Sequence, residues 1–121
     1  MDIELEVQGL AVKVLDGAYT ADNAITGEGI EFATSIVDDL DAYKTTAADQ
    51  LVSLYNEVWL DDKIGELSAT QIASLLINPK VVIYDVEGAA CIYFNDSDMF
   101  AGHYVEISID QFQVNGIGIV G

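Results

Sequence analysis

Between Ile3 and Val14 apolar and polar positions alternate one for one, with a single break at Gln8-Gly9. Ile3, Leu5 and Val7 precede the break, and Leu10, Val12 and Val14 follow it. A period of two marks a strand with one buried face, and a two-residue break marks a β-hairpin whose turn sets the register. Val7 then opposes Leu10, Leu5 opposes Val12 and Ile3 opposes Val14 on one face, with Glu4 opposite Lys13 on the other. That charge pair is worth about 0.2–1 kcal/mol. Asp16-Gly17 closes the unit, and Ala18 to Gly29 reads as a polar connection.

From Ile30 the period lengthens. Ile30, Ala33, Val37 and Leu40 share one helical stripe, interrupted near Asp38-Asp39-Leu40-Asp41, and a second stripe takes Ala47, Leu51, Leu54, Tyr55 and Val58. This predicts two helices, the second capped near Asp41, with one long kinked helix as the alternative. Trp59 to Gly65 is a turn-rich link. Ser68-Ala69-Thr70-Gln71 is a capping box, in which the serine hydroxyl and the glutamine side chain each satisfy an amide of the first helical turn. The short helix it opens buries Ile72, Leu75 and Leu76, and Asn78-Pro79 stops it, because a residue before proline avoids the helical region.

The last third reads as strands at Val81 to Tyr84, Ala89 to Asn95, His103 to Ile109 and Gly116 to Val120. Gly88 supplies the positive φ that the first turn needs, and short connections favour an antiparallel meander. The order ββαααββββ predicts one α+β domain over residues 1–121. Its sheet is mainly antiparallel, an N-terminal hairpin plus a four-strand meander, with three helices packed on one face.

Between the second and third strands of the meander lies Asp96-Ser97-Asp98-Met99-Phe100-Ala101-Gly102, followed by His103, the single histidine of the chain. Two carboxylates beside two large apolar side chains are unusual in a solvent turn, so Met99 and Phe100 are expected to fold back onto the body and order the loop. His103 shares parity with Val105, Ile107 and Ile109, which predicts an imidazole at least partly buried and hydrogen-bonded to Asp96 or Asp98.

Charge narrows the function classes. Four lysines and no arginine oppose 21 acidic residues, for a formal net charge of −17. Such a surface repels nucleic acid and anionic membranes, and without arginine the usual bidentate grip on phosphate is missing. Either the charge serves solubility alone, or it faces a basic partner. No apolar run reaches the ~20 residues that span a bilayer, and the acidic start Met1-Asp2-Ile3-Glu4 is unlike a signal peptide. One cysteine, Cys91, excludes an internal disulfide framework. A cytoplasmic protein is expected.

Three blocks, Leu54 to Asp62 (Leu-Tyr-Asn-Glu-Val-Trp-Leu-Asp-Asp), Ile64 to Leu67 and Asn95 to His103, resemble in order and spacing an uncharacterised bacterial family, domain of unknown function 2262. The Asp-x-Asp-Met-Phe-Ala-Gly-His block is the most specific, although many relatives carry tryptophan where this chain has Ala101. The resemblance implies a compact bacterial α+β domain and brings no activity or catalytic residues.

The residues offer little chemistry. Asp96 and Asp98 begin like a calcium loop, but Phe100 and Ala101 fall where an EF-hand needs an oxygen ligand and a glycine. One histidine and one cysteine do not make a zinc site without carboxylate help. Cys91 lies mid-strand with no lysine, arginine or helix start to activate it, and Gly116 to Gly121 is followed by no helix that would receive a phosphate. No cofactor, metal or catalytic set is implied.

Two readings of function follow. The first is a non-catalytic module that binds a basic protein, as immunity proteins neutralise basic toxins. Its contact centre would be Tyr55 and Trp59 flanked by Glu57, Asp61 and Asp62. The alternative is a small-ligand or metal-binding enzyme using Asp96, Asp98 and His103.

Overall fold

A computed structural model describes residues 3–15, 27–85 and 88–120. Its elements run β1 (Ile3–Val7), β2 (Leu10–Val14), α1 (Gly27–Asp38), α2 (Leu40–Leu54), a π-helical turn (Tyr55–Trp59), α3 (Ala69–Leu75), β3 (Ile77–Asp85), β4 (Ala89–Asn95), β5 (Tyr104–Asp110) and β6 (Gln113–Val120). The result is an α+β fold with three α-helices and one mixed, mostly antiparallel sheet of six strands in sequential order.

The hairpin takes the register expected from its alternation, Val7 opposite Leu10 and Glu4 opposite Lys13. Gln8 and Gly9 at its tip have φ of 52° and 82°, the positive pair that matches the twist of a two-residue hairpin. The expected meander is also present, since β3, β4, β5 and β6 pair antiparallel in order. What joins the two halves is a parallel contact, Val12 opposite Val81 and Val14 opposite Ile83. A parallel neighbour requires a crossover, and the helical third of the chain supplies it.

Registry then aligns the core. Val12, Val81, Ile92, Ile107 and Ile117 form one row across five strands, and Val14, Ile83, Ala90 and Ile109 form the next. All but the half-buried Ile117, which packs against them, belong with Phe94 and Val105 to one buried cluster that includes Phe32, Ala33 and Ile36 of α1, Ala47, Ala48 and Leu51 of α2, and Ile72 of α3. Each fully buried Val, Ile or Phe contributes ~1.5–3 kcal/mol. The other sheet face carries the rows Lys13, Val82, Cys91, Ser108, Gly116 and Lys80, Tyr93, Glu106, Gly118, with Tyr84 and Tyr104 exposed.

Several boundaries differ from the pattern-based expectation. The first helix begins at Gly27, so residues 27–29 are helical, while Asp16-Gly17 and residues 18–26 of the expected connection lie outside the described residues. Two helices form, but only Asp39 separates them, and Asp39 has φ −101° and ψ 14° with no side-chain cap bond. Gln8 donates to the Asp38 carboxylate, fastening the β1–β2 turn to this junction. The capping box at Ser68 is complete, yet α3 ends at Leu75, short of Asn78-Pro79. Those two residues lie inside β3, at an irregularity between Ile77 and Lys80, with Asn78 at φ 53°. A bulge is where proline, lacking an amide to donate, is tolerated in a strand, so β3 starts earlier than Val81. Likewise β6 starts at Gln113 rather than Gly116, and His103 falls just before β5. No helix among the described residues is long and apolar enough to cross a membrane.

Candidate functional site

The loop between β4 and β5 is organised by one buried carboxylate. Asp96 is 1% exposed. Its Oδ1 accepts from the Asp98 amide at 2.9 Å, and its Oδ2 accepts from the amides of Phe100 at 2.9 Å and His103 at 3.0 Å. Its carbonyl accepts from Met99 at 3.0 Å. Four residues adopt positive φ, namely Ser97, Asp98, Ala101 and Gly102, and converging amides of this kind form a concavity suited to an anion. Here the chain's own side chain fills it. The turns send Met99 and Phe100 into the core, both buried, and Ser97 donates its hydroxyl to the Leu75 carbonyl at 2.7 Å, tying the loop to the end of α3.

His103 departs from expectation. It is half-buried, but its imidazole does not bond the Asp96 or Asp98 carboxylate. Nδ1 instead lies 2.5 Å from the Phe100 carbonyl. A carbonyl only accepts, so Nδ1 carries the proton. The carboxylate contact is made by the backbone amide of His103, which joins the amides of Asp98 and Phe100 on Asp96.

Phe100 and His103 meet the π-helical turn. The Phe100 ring has edge-to-face contacts with Tyr55 at 6.0 Å and Trp59 at 5.7 Å, and Trp59 reaches His103 at 5.9 Å. The two candidate clusters, far apart in sequence, are therefore one neighbourhood. Within it Tyr55 is wholly buried and donates its hydroxyl to the Gly65 carbonyl at 3.0 Å. Asn56 clasps Leu67 through both amide atoms, at 2.8 and 3.0 Å. Asp61 accepts from the Lys63 amide at 2.8 Å. These residues hold down the link from Leu60 to Leu67 and leave Tyr55 no part in a contact surface. Glu57 and Asp62 are exposed, Trp59 and Asp61 half-buried, and Asp98 is exposed on the loop.

Leu54 and Val58, expected on the same stripe as Ala47 and Leu51, lie instead on the outer side of this turn. Val58 is 69% exposed, and Leu60 and Leu54 are also exposed. Leu54 and Val58 follow Leu51 at the helical spacing of three and then four, which is why the periodicity reads them as part of that stripe.

A second polar cluster lies on the open sheet face. Cross-strand pairing sets Cys91 against Ser108 and Tyr93 against Glu106. Ser108 donates to Glu106 at 3.3 Å, the Cys91 thiol stands 3.9 Å from the Ser108 hydroxyl, and the hydroxyls of Tyr84 and Tyr93 are 3.4 Å apart. The hydrogen bond to Tyr84, then burial and a bond to Glu106, push the Tyr93 phenol well above its ordinary 10.0, so it stays a neutral donor. Beside it Lys80, Tyr93, Tyr104 and Val120 line an open depression of about 290 Å³, with the Lys80 ammonium 5.9 Å from the Tyr104 ring centre.

Among the described residues no group of three or more His, Cys, Asp and Glu side chains is placed to hold a metal ion. Neither a curated protein nor a solved structure matches the chain. A family model does match, over residues 15–114, and its description reads "Uncharacterized protein conserved in bacteria (DUF2262)". The chain belongs to that bacterial family.

Proposed function

We propose that the chain is a non-catalytic acidic module that binds a basic partner protein in the bacterial cytoplasm, and that it acts as an immunity-type neutraliser of a basic toxin. The observation that carries this reading is the outer side of the π-helical turn. Exposed Leu54, Val58 and Leu60 stand beside half-buried Trp59 and among Glu57, Asp61, Asp62 and Glu66, with Phe100 and His103 fixing Trp59 from behind. An apolar centre within an acidic rim suits a cationic protein, since the centre supplies affinity and the rim supplies steering. A net charge of −17 disfavours nucleic acid and anionic membrane as partners.

The alternative, a ligand or metal site at Asp96, Asp98 and His103, has less support. Asp96 is buried and committed to backbone amides, and the imidazole to a carbonyl.

The test is a pull-down from the native host followed by a salt series on the purified pair. A basic protein should be recovered, its affinity should fall between about 50 and 500 mM salt as the screening length shrinks about threefold, and Val58→Asp should weaken it further. Recovery of nothing basic, or affinity indifferent to salt, overturns the proposal.

A further inference from the structure

β6 is the last strand of the sheet, and its outer edge has no strand partner among the described residues. From Gly116 to Val120 it follows β5 in regular register, Gly116 opposite Ser108 through Val120 opposite Tyr104. The edge is therefore free of bulges over that length and presents a row of backbone donors and acceptors. Proteins blunt such edges with charge, proline, bulges or brevity. The opposite edge, β1, has exposed Glu4 and Glu6 on its five residues. β6, Gln-Val-Asn-Gly-Ile-Gly-Ile-Val, has one irregularity, at Asn115, and beyond it the five regular residues carry neither a charge nor a proline.

In a chain of net charge −17 an uncharged edge narrows the occupant. A cationic segment finds no carboxylate on β6 to prefer it over β1. A second copy of this chain, repelled by carboxylates elsewhere, meets none along β6. We infer that β6 pairs antiparallel with β6 of a second copy about a twofold axis, continuing the sheet across both molecules. The contact is isologous and closes on itself. The two edges left free are the glutamate-bearing β1 strands, so the pair stops at a dimer and does not grow into a fibre. Pairing also covers the flank of Ile117 and Ile119, which are only half-buried in the single chain.

This inference is independent of the basic-partner proposal and has the opposite salt dependence. Salt weakens attraction to a cationic protein, but it screens repulsion between two like-charged copies and so tightens the dimer. The experiment is analytical ultracentrifugation of the whole chain over a concentration series at about 50 and 500 mM sodium chloride. A monomer–dimer equilibrium that tightens with salt is expected. An ideal Cβ on Gly118 or Gly116 meets nothing within 4 Å, so substitutions there have room. Gly118→Glu should weaken the dimer by about tenfold or more, with the circular dichroism spectrum unchanged, whereas Gly118→Thr should keep it. If Gly118→Glu does not fold, Gly116→Glu, which has the same room and lies in the same regular stretch, takes its place. A monomer at every concentration and salt, or a dimer that the folded glutamate variant leaves intact, overturns the inference.

Discussion

Asp96 shows how one side chain decides whether a candidate site is a site. Three backbone amides converge on its carboxylate, and removing it leaves them, the Phe100 amide buried and the other two part-buried, without that acceptor. Bonds to a charged acceptor contribute ~1.5–3 kcal/mol each, and orphaned groups add a desolvation cost. Asp96→Ala is therefore expected to cost about 3 kcal/mol or more in urea unfolding. His103→Ala, which loses one bond to a carbonyl and an edge contact with Trp59, should cost about 1 kcal/mol. A histidine variant less stable than the aspartate variant would contradict the arrangement described. The sequence marked both residues and their closeness, but not the direction of their bond. That depends on Ser97, Asp98 and Ala101 adopting positive φ, a conformation disfavoured for residues other than glycine and so not readable from residue type. Tyr55 is ambiguous for a related reason, because its helical stripe fits a core ring and a contact ring equally well, and only the Phe100 ring and the Gly65 carbonyl place it in the core.

Among the elements, those governed by local rules were legible. The β1–β2 register needed only alternation and a turn, and the start of α3 needed only Ser68 and Gln71. Ser68→Ala removes the acceptor of the Gln71 amide at 3.2 Å and should cost about 1 kcal/mol. Gln71→Ala, which frees the Ser68 amide, an exposed group that water can satisfy, should cost less, and chemical denaturation of both variants checks the order. The end of α3 was less legible, because Asn78-Pro79 marks an irregular strand start as readily as a helix stop. The π-helical turn was not legible at all. Its wider winding carries Tyr55 and Trp59 onto the same Phe100 ring, and the residue spacing there fits an ordinary helix equally well.

At the scale of the molecule, proton linkage exposes a weakness at alkaline pH. Hydrogen bonding and burial raise Tyr93, and burial followed by Asp39 raises Tyr43, above the 10.0 that each would have in the unfolded chain. Above pH 10 the unfolded state then sheds protons that the folded state keeps, so stability is full below about pH 10 and falls as pH rises further. Unfolding between pH 8 and 11 should show this decline, and Tyr93→Phe should make it shallower. An unchanged slope in that variant would remove Tyr93 as a cause. The parallel contact of β2 with β3 reaches further still, into how the chain assembles. Val12 and Val81 stand about seventy positions apart, and closing a loop of that length costs about 4 kcal/mol beyond a fixed term. The strands from β3 to β6 need only short closures, so they can gather while the N-terminal hairpin is still free. The hairpin becomes the piece that docks late and, on unfolding, the piece that leaves early.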